Sequence, residues 1–186
     1  LRMAINEYAP TAQVVAGGKV WTSAGVDRIP GKDLVTKQYA VCGGVIGCGR
    51  FATGVDLPAN CDVCGTPWKA RKWLQPEFGF VADRNVTNAG STPPKTLWNT
   101  ATYVQDMGPD VHESTTDLGH GRQLKITAGT RGTLIAINDA PGGSGFLICR
   151  ACGRGLIPRG KPKVEKHKKI FKDEDCLGGF EHRSLG

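Results

Sequence analysis

FLICRACGRG (Phe146–Gly155) runs four apolar residues straight into a Cys-x-x-Cys-Gly turn. The apolar run is short and bounded by glycine loops, so it reads as a buried strand. The turn presents two thiolates, Cys149 and Cys152, to one metal ion. A tetrahedral ion needs four ligands, and only one further cysteine, Cys176, follows. The fold question and the missing-ligand question therefore start from the same ten residues.

Working outward, the neighbouring sequence is also strand-like. QLKITAGTRGTLIAIND (123–139) has two β-rich runs around GTRG and predicts a hairpin, and the glycine loop APGGSG (140–145) feeds the strand FLIC. TATYVQDM (100–107) predicts another strand. AQVVAGGKVWTSAGV (12–26) predicts a hairpin around Gly17-Gly18. KARKWLQPEFGFVAD (69–83) reads as extended chain interrupted at Pro76 and Gly79. The opening LRMAINEYAP predicts a short helix that stops before Pro10. NVTNAGSTPPKT (85–96) and GPDVHESTTDLGHGR (108–122) are turn-rich and polar, and read as surface loops. The expected fold is mostly β (a β-rich α+β domain) spanning 1–186. Two zinc-ribbon or knuckle-like insertions cover 37–68 and 145–180.

Seven cysteines in close pairs with wide gaps fit metal binding better than a secreted disulfide framework. CGGVIGCGRFATGVDLPANCDVCG (42–65) holds Cys42, Cys48, Cys61 and Cys64. Cys61 and Cys64 repeat the Cys-x-x-Cys-Gly form. Cys42 and Cys48 are spaced more widely, yet Gly49 follows Cys48 as Gly65 follows Cys64. Glycine suits the positive φ of a metal knuckle. Four thiolates would close a structural zinc shell with no open position; buried free thiols or a redox pair are the alternatives. The second site has Cys149, Cys152 and Cys176, so its fourth ligand should be a histidine. His167, nine positions before Cys176, is favoured; His182, six positions after it, or a ligand beyond Gly186 are the other choices. Two Zn2+ ions are expected, with iron as the other metal that thiolates accept.

The net charge of +7 and pI near 9.1 point to an acidic partner, most obviously nucleic acid. Much of the excess lies in RGKPKVEKHKKIFK (159–172). Arg159, Lys161, Lys163, Lys166, Lys168, Lys169 and Lys172 are the candidate phosphate contacts. Trp73, Phe78 and Phe80 are either base-stacking platforms or core residues. No window reaches the roughly 18 apolar residues of a membrane span, and no signal-peptide pattern opens the chain. A cytoplasmic protein without a membrane partner is the expectation. The start at Leu1 reads as a piece of a longer protein. Phosphate-loop, nucleophile-elbow and H-E-x-x-H motifs are missing from the sequence. Asp110, His112, Glu113, Asp117 and His120 cluster in a polar stretch without a matching motif, and the H-x-E spacing of a zinc deaminase is not there. The chain by itself is expected not to be an enzyme.

Four blocks in order, AINEYAPTAQVVAGGKVWTSAGV, LQPEFGFVAD, LIAINDAPGGSGFLICRACG and HKKIFKDEDCLGGFEHRSLG, resemble one helicase-associated region. It is the zinc-binding C-terminal domain of MrfA-like DNA-repair helicases and of DrmB, a DISARM phage-defence protein. The resemblance spans nearly the whole chain. It implies an intracellular prokaryotic protein that handles DNA beside a helicase motor, in cis or in trans. It implies zinc at Cys149, Cys152 and Cys176, and is compatible with His167. The wide Cys42–Cys48 spacing departs from a tight knuckle. Two functions follow as expectations: a DNA-binding accessory domain, single-stranded or duplex, or a protein-docking module that holds a helicase or defence subunit.

Overall fold

A computed structural model describes residues 2–43, 47–97, 99–158 and 167–186. In chain order its elements are α1 (Arg2–Glu7), β1 (Gln13–Ala16), β2 (Lys19–Val26), β3 (Thr36–Val41), β4 (Phe51–Gly54), β5 (Arg71–Leu74), β6 (Phe80–Ala82) and β7 (Thr87–Asn88). They continue with β8 (Thr100–Asp106), β9 (Val111–Gly119), β10 (Arg122–Gly129), β11 (Thr133–Asn138), β12 (Phe146–Cys149), β13 (Gly155–Leu156), β14 (His167–Lys168), β15 (Asp175–Cys176) and β16 (Phe180–Leu185). The expected mostly-β architecture is what forms, with one six-residue helix among the described residues. None of their helices is long and apolar enough to cross a membrane.

The main sheet runs β13-β12-β16-β5-β3-β4, and β11 joins it at β16 while carrying β8 on its other side. Its centre is β5. Successive side chains of a strand point to opposite faces, and Trp73 and Leu74 start two different cores. Leu74 packs with Ala9, Ala12, Val26, Phe146, Ile148 and Leu185. Trp73 packs with Tyr39, Phe51 and Ile137, and its indole N–H donates to Thr53 Oγ1 at 3.0 Å. Trp73 is thus a core residue, closed to bases; Phe80 packs against the Leu74 core and Phe78 is exposed. The second, smaller sheet is β1-β2-β6, with β7 beside β2. Gly17 and Gly18, at φ 58° and 69°, make the two-residue turn that twists β1 onto β2.

Asn138 is fully buried and ties the N-terminal helix to the sheet. Its Nδ2 donates to the Ile5 carbonyl at 2.7 Å, and its Oδ1 accepts the Ala140 N–H at 3.0 Å. A helix this short leaves its last carbonyls without partners unless a side chain supplies one. Beside it, Asp139 Oδ1 accepts from the Tyr39 hydroxyl and from the Ser184 hydroxyl, each at 2.5 Å. Burial, and then this Asp139 contact, push the Tyr39 hydroxyl up to about 12.

Two expectations need correcting. Residues 108–122 are not a loop: Val111–Gly119 is a strand, paired antiparallel with β10 through a turn at Gly119-His120-Gly121. Nor do the two runs around GTRG pair with each other. β10 turns back on β9, while β11 pairs with β8 thirty residues earlier in register (Thr133↔Asp106, Ile135↔Tyr103). Residues 100–138 therefore form one long hairpin with a kink at 107–110 and 129–132. The kink needs glycine: a Cβ on Gly129 would lie 2.0 Å from the Met107 carbonyl oxygen.

Candidate metal centres

Among the described residues, two groups bring four ligand atoms within 4.8 Å of one another: Cys42, Cys48, Cys61, Cys64 and Cys149, Cys152, His167, Cys176. These are the two sets expected from the spacing. Each could hold a metal ion.

Every Cys-Gly turn closes in the same way. Cys61 N–H donates to the Thr66 carbonyl and Gly65 N–H to the Cys61 carbonyl, both at 2.9 Å. Cys149 N–H donates to the Arg154 carbonyl and Gly153 N–H to the Cys149 carbonyl, both at 2.8 Å. Cys42 and Cys48 obey the identical rule despite their wider spacing: Cys42 N–H reaches the Arg50 carbonyl and Gly49 N–H the Cys42 carbonyl. The three glycines stand at φ 76°, 70° and 78°, which explains the residue type. The extra length of the first turn falls between Gly43 and Gly47, and residues 44–46 lie outside the described residues.

In the first centre, Cys42 directly follows β3 and Cys48 leads into β4, so one hairpin supplies one half of the set. Cys61 and Cys64 come from the loop that an Asn60–Pro67 bridge and the Trp68 indole (2.6 Å to the Pro58 carbonyl) hold shut. Cys42 and Cys61 are buried while Cys48 and Cys64 face solvent. The Arg50 guanidinium grips Asp62 through two contacts of 3.3 Å, joining the halves, and holds the Asp62 carboxyl below its usual value. Hydrogen bonds from Thr66, the side chain first, bring Cys64 down to about 6.

In the second centre, β12 delivers Cys149 and Cys152 at its end, and β14 pairs with β15 so that His167 lies directly across from Cys176. That pairing brings His167 to the three cysteines, where it could serve as the fourth ligand. His182 instead turns its Nδ1 to the Ser144 carbonyl, 3.2 Å away. The Phe180 ring lies 4.4 Å from the imidazole, centre to centre, and fixes its position. Arg28 donates to the Ala151 carbonyl at 2.5 Å, and Val26 N–H to the Gly153 carbonyl at 2.9 Å, so the turn is docked on β2. Ile170 anchors the other hairpin against Ala24 and Val81. The thiol hydrogen bond from Cys152, above all, lowers Cys149 to about 4 and correspondingly raises Cys152.

The distances fit one tetrahedral ion per set. Metal–sulfur bonds of about 2.3 Å give tetrahedron edges of about 3.8 Å between sulfurs and about 3.6 Å between sulfur and imidazole nitrogen. The sets show 3.4 Å (Cys42–Cys64), 3.6 Å (Cys48–Cys61), 3.7 Å (Cys149–Cys176) and 3.3 Å (Cys152–His167 Nε2). All seven cysteines are free, and these separations are far beyond a disulfide bond of about 2.05 Å.

Of the expected phosphate contacts, Arg159, Lys161, Lys163 and Lys166 lie outside the described residues. Lys168 Nζ is 3.2 Å from Asp175 and 3.6 Å from Asp173, and Lys169 Nζ is 2.8 Å from Glu174. Both ammonium groups are therefore offset locally, while Lys172 lines a cleft beside Asp173. The His and carboxylate cluster of 110–120 is spread along the β9–β10 ribbon. His112 and Glu113 face opposite sides, Glu113 pairs with Lys125 at 2.8 Å, and Asp110 accepts from Thr130 at 3.1 Å. Sequence reading missed the supports Arg50–Asp62, Arg28 and Phe180, because each works through a contact made only when separate segments of the chain come together. Compared with protein-family models, curated proteins and solved structures, the chain matches none.

Proposed function

We propose that the chain is a zinc-stabilised accessory domain that contributes DNA binding beside a helicase-type motor, in the same chain or in a partner. Closed sets of four soft ligands favour structural Zn2+ in both centres. They also favour a bracing role: the ions hold glycine-rich segments that bury little on their own. The observation that carries the DNA reading is the surplus of positive charge, +7 over 186 residues. In this reading the domain performs no catalytic step itself, is cytoplasmic, and belongs with the MrfA-like and DrmB-like proteins of DNA repair or phage defence, as the ordered sequence blocks imply.

The test is binding of labelled single-stranded and duplex DNA to the metal-loaded protein across a salt series. Micromolar or tighter binding that weakens steeply with salt is expected; no binding at 50 mM salt or below refutes the reading. Elemental analysis should find two zinc ions per chain, and iron in their place would refute the choice of metal.

One observation favours the second reading, a docking module without DNA contact. The β9–β10 ribbon projects with Leu118, Leu124 and Ile126 exposed by 59%, 45% and 48%. Register places Leu124 beside Thr116 and Ile126 beside Ser114, so these apolar groups share one face, while Glu113, Asp117 and Lys125 take the other. An isolated two-stranded ribbon is marginal in water, and covering that face with a helicase-type subunit would stabilise it. Leu124→Ser with Ile126→Ser would then abolish co-purification with the motor while metal content stays unchanged.

A further inference from the structure

The charge that drives the DNA reading has to sit somewhere free of its own counter-ions, and several of the described basic residues fail that requirement. Arg50 is held by Asp62, Arg154 by Asp83, Lys125 by Glu113, Arg150 and Arg183 by Glu181, and Lys168 and Lys169 by the acidic residues 173–175. The cleft that Lys168, Lys169 and Lys172 line also contains Asp83 and Asp173. Arg154, Lys168 and Lys169 there are already paired, while Arg84 and Lys172 are not paired among the described residues.

At the start of β5 three cations stand within four positions, 69–72. Lys69 and Lys72 are exposed and meet no carboxylate among the described residues. Arg71, between them, is half exposed; its Nη1 is fixed by Asp139 at 3.3 Å and by the Gly143 carbonyl at 3.0 Å. A guanidinium has five N–H donors, so this fixation orients the group and still leaves donors facing solvent. Two concavities meet on these residues. One, of about 310 Å³, is lined by Lys69, Arg71, Lys72, Ser144, His182 and Arg183. The other, of about 250 Å³, is lined by Lys69, Arg71, Tyr103 and Asp139 among others. Lys69 and Arg71 belong to both, so the two concavities adjoin as a groove at the start of the strand. Lys69 and Lys72 line it without a counter-ion among the described residues, Arg183 is held by Glu181, and Asp139, the partner of Arg71, also accepts from Tyr39 and Ser184.

We propose that this groove, with Lys69, Arg71 and Lys72 as its cations, is where the domain grips the phosphodiester backbone of DNA. The proposal rests on the DNA-binding reading above and moves the contact away from residues 159–172. Arg71 acts as a pre-positioned fork, and the two lysines act as mobile point charges on either side of it. Contacts of this kind are made to phosphate and not to base edges, so they position the backbone and carry no sequence information.

The experiment uses the metal-loaded full chain, a labelled single strand and a labelled duplex of mixed sequence, and affinities measured from 50 to 300 mM salt. Lys69→Ala with Lys72→Ala should lower the slope of log affinity against log salt by about two on the duplex, one for each released contact. Lys69→Arg with Lys72→Arg should restore the slope, and Lys168→Ala with Lys169→Ala should leave it within about half a unit of the wild type. Metal content and melting midpoint, unchanged in all three variants, separate loss of contact from loss of fold. Wild-type binding with an unaltered slope in the alanine pair would overturn the groove while leaving the DNA reading intact. So would a slope that falls only in the Lys168/Lys169 variant. Absence of wild-type binding at 50 mM salt would overturn both.

Discussion

Gly178 and Gly179 are adjacent, and only one of them can matter to the second metal centre. A Cβ built on Gly178 would stand 2.4 Å from Ala151 Cβ and 2.8 Å from Cys149 Sγ, whereas one on Gly179 would meet nothing within 4 Å. Neither has the positive φ that would penalise a side chain by itself. Carbon atoms in contact sit about 3.5–4.0 Å apart, so Gly178→Ala forces the two segments to separate by about 1 Å or more. That movement pulls Cys176, whose Sγ accepts the Gly178 N–H at 3.4 Å, away from Cys149. Overpacking of this kind costs about 1–3 kcal/mol. Because the ion and the local fold are coupled, the cost should appear as metal affinity about 5- to 150-fold weaker at one of two sites. Competition with a chromophoric chelator measures it directly. The wild type and Gly179→Ala should release both ions in the same chelator range, and Gly178→Ala should lose one ion well before the other. Equal behaviour of the two glycine variants would refute the argument that close approach at Gly178 sets the ligand geometry.

Other outcomes are equally specific. His167→Ala should reduce bound metal from two ions to one, while His182→Ala leaves two; the reverse result would show that the β14–β15 pairing does not deliver the ligand. Tyr39 has its hydroxyl raised to about 12 in the fold against an ordinary 10, so it favours the neutral form. Its contribution to stability is complete below pH 10 and is lost as pH rises through 12. Urea midpoints from pH 9 to 12 should therefore fall more steeply for the wild type than for Tyr39→Phe, and parallel curves would refute this. Phe146 is fully buried beside Leu74 and Leu185. Phe146→Ala should cost about 3–5 kcal/mol in denaturant unfolding, and a loss below 1 kcal/mol would mean that the core at β5 is not what holds the two sheets together.

Local chemistry is what the sequence made legible. Gly17-Gly18 between two apolar runs is a turn by steric necessity, and the structure has it. The Cys-Gly pairs announced their knuckles for the same reason, and counting cysteines left a histidine as the eighth ligand. Pairing between distant strands was not legible. The GTRG segment looks like a turn, yet β11 finds β8 and β10 finds β9, because the real reversal is at Gly119-His120-Gly121. The strand 111–119 reads as a loop in the sequence because it is exposed along its whole length. No alternation of buried and exposed residues marks such a strand. The groove at Lys69–Lys72 was hidden likewise: a run of basic residues shows in a sequence, but the carboxylates that neutralise it, or fail to, come from elsewhere in the chain.

The shared closure of the three Cys-Gly turns bears on how such sites are recognised. What is constant is the pair of backbone hydrogen bonds between the first cysteine and the glycine corner; the number of residues carried between them is not. Cys42 and Cys48 keep both bonds with five intervening residues in place of two. The knuckle therefore behaves as a clasp that tolerates cargo at its tip. A search keyed to the Cys-x-x-Cys interval would pass over this one, whereas a search keyed to the Cys-Gly corner and a cysteine at the end of the preceding strand would find it. The interval between the two cysteines is where such a domain can vary in length while both closing bonds are kept.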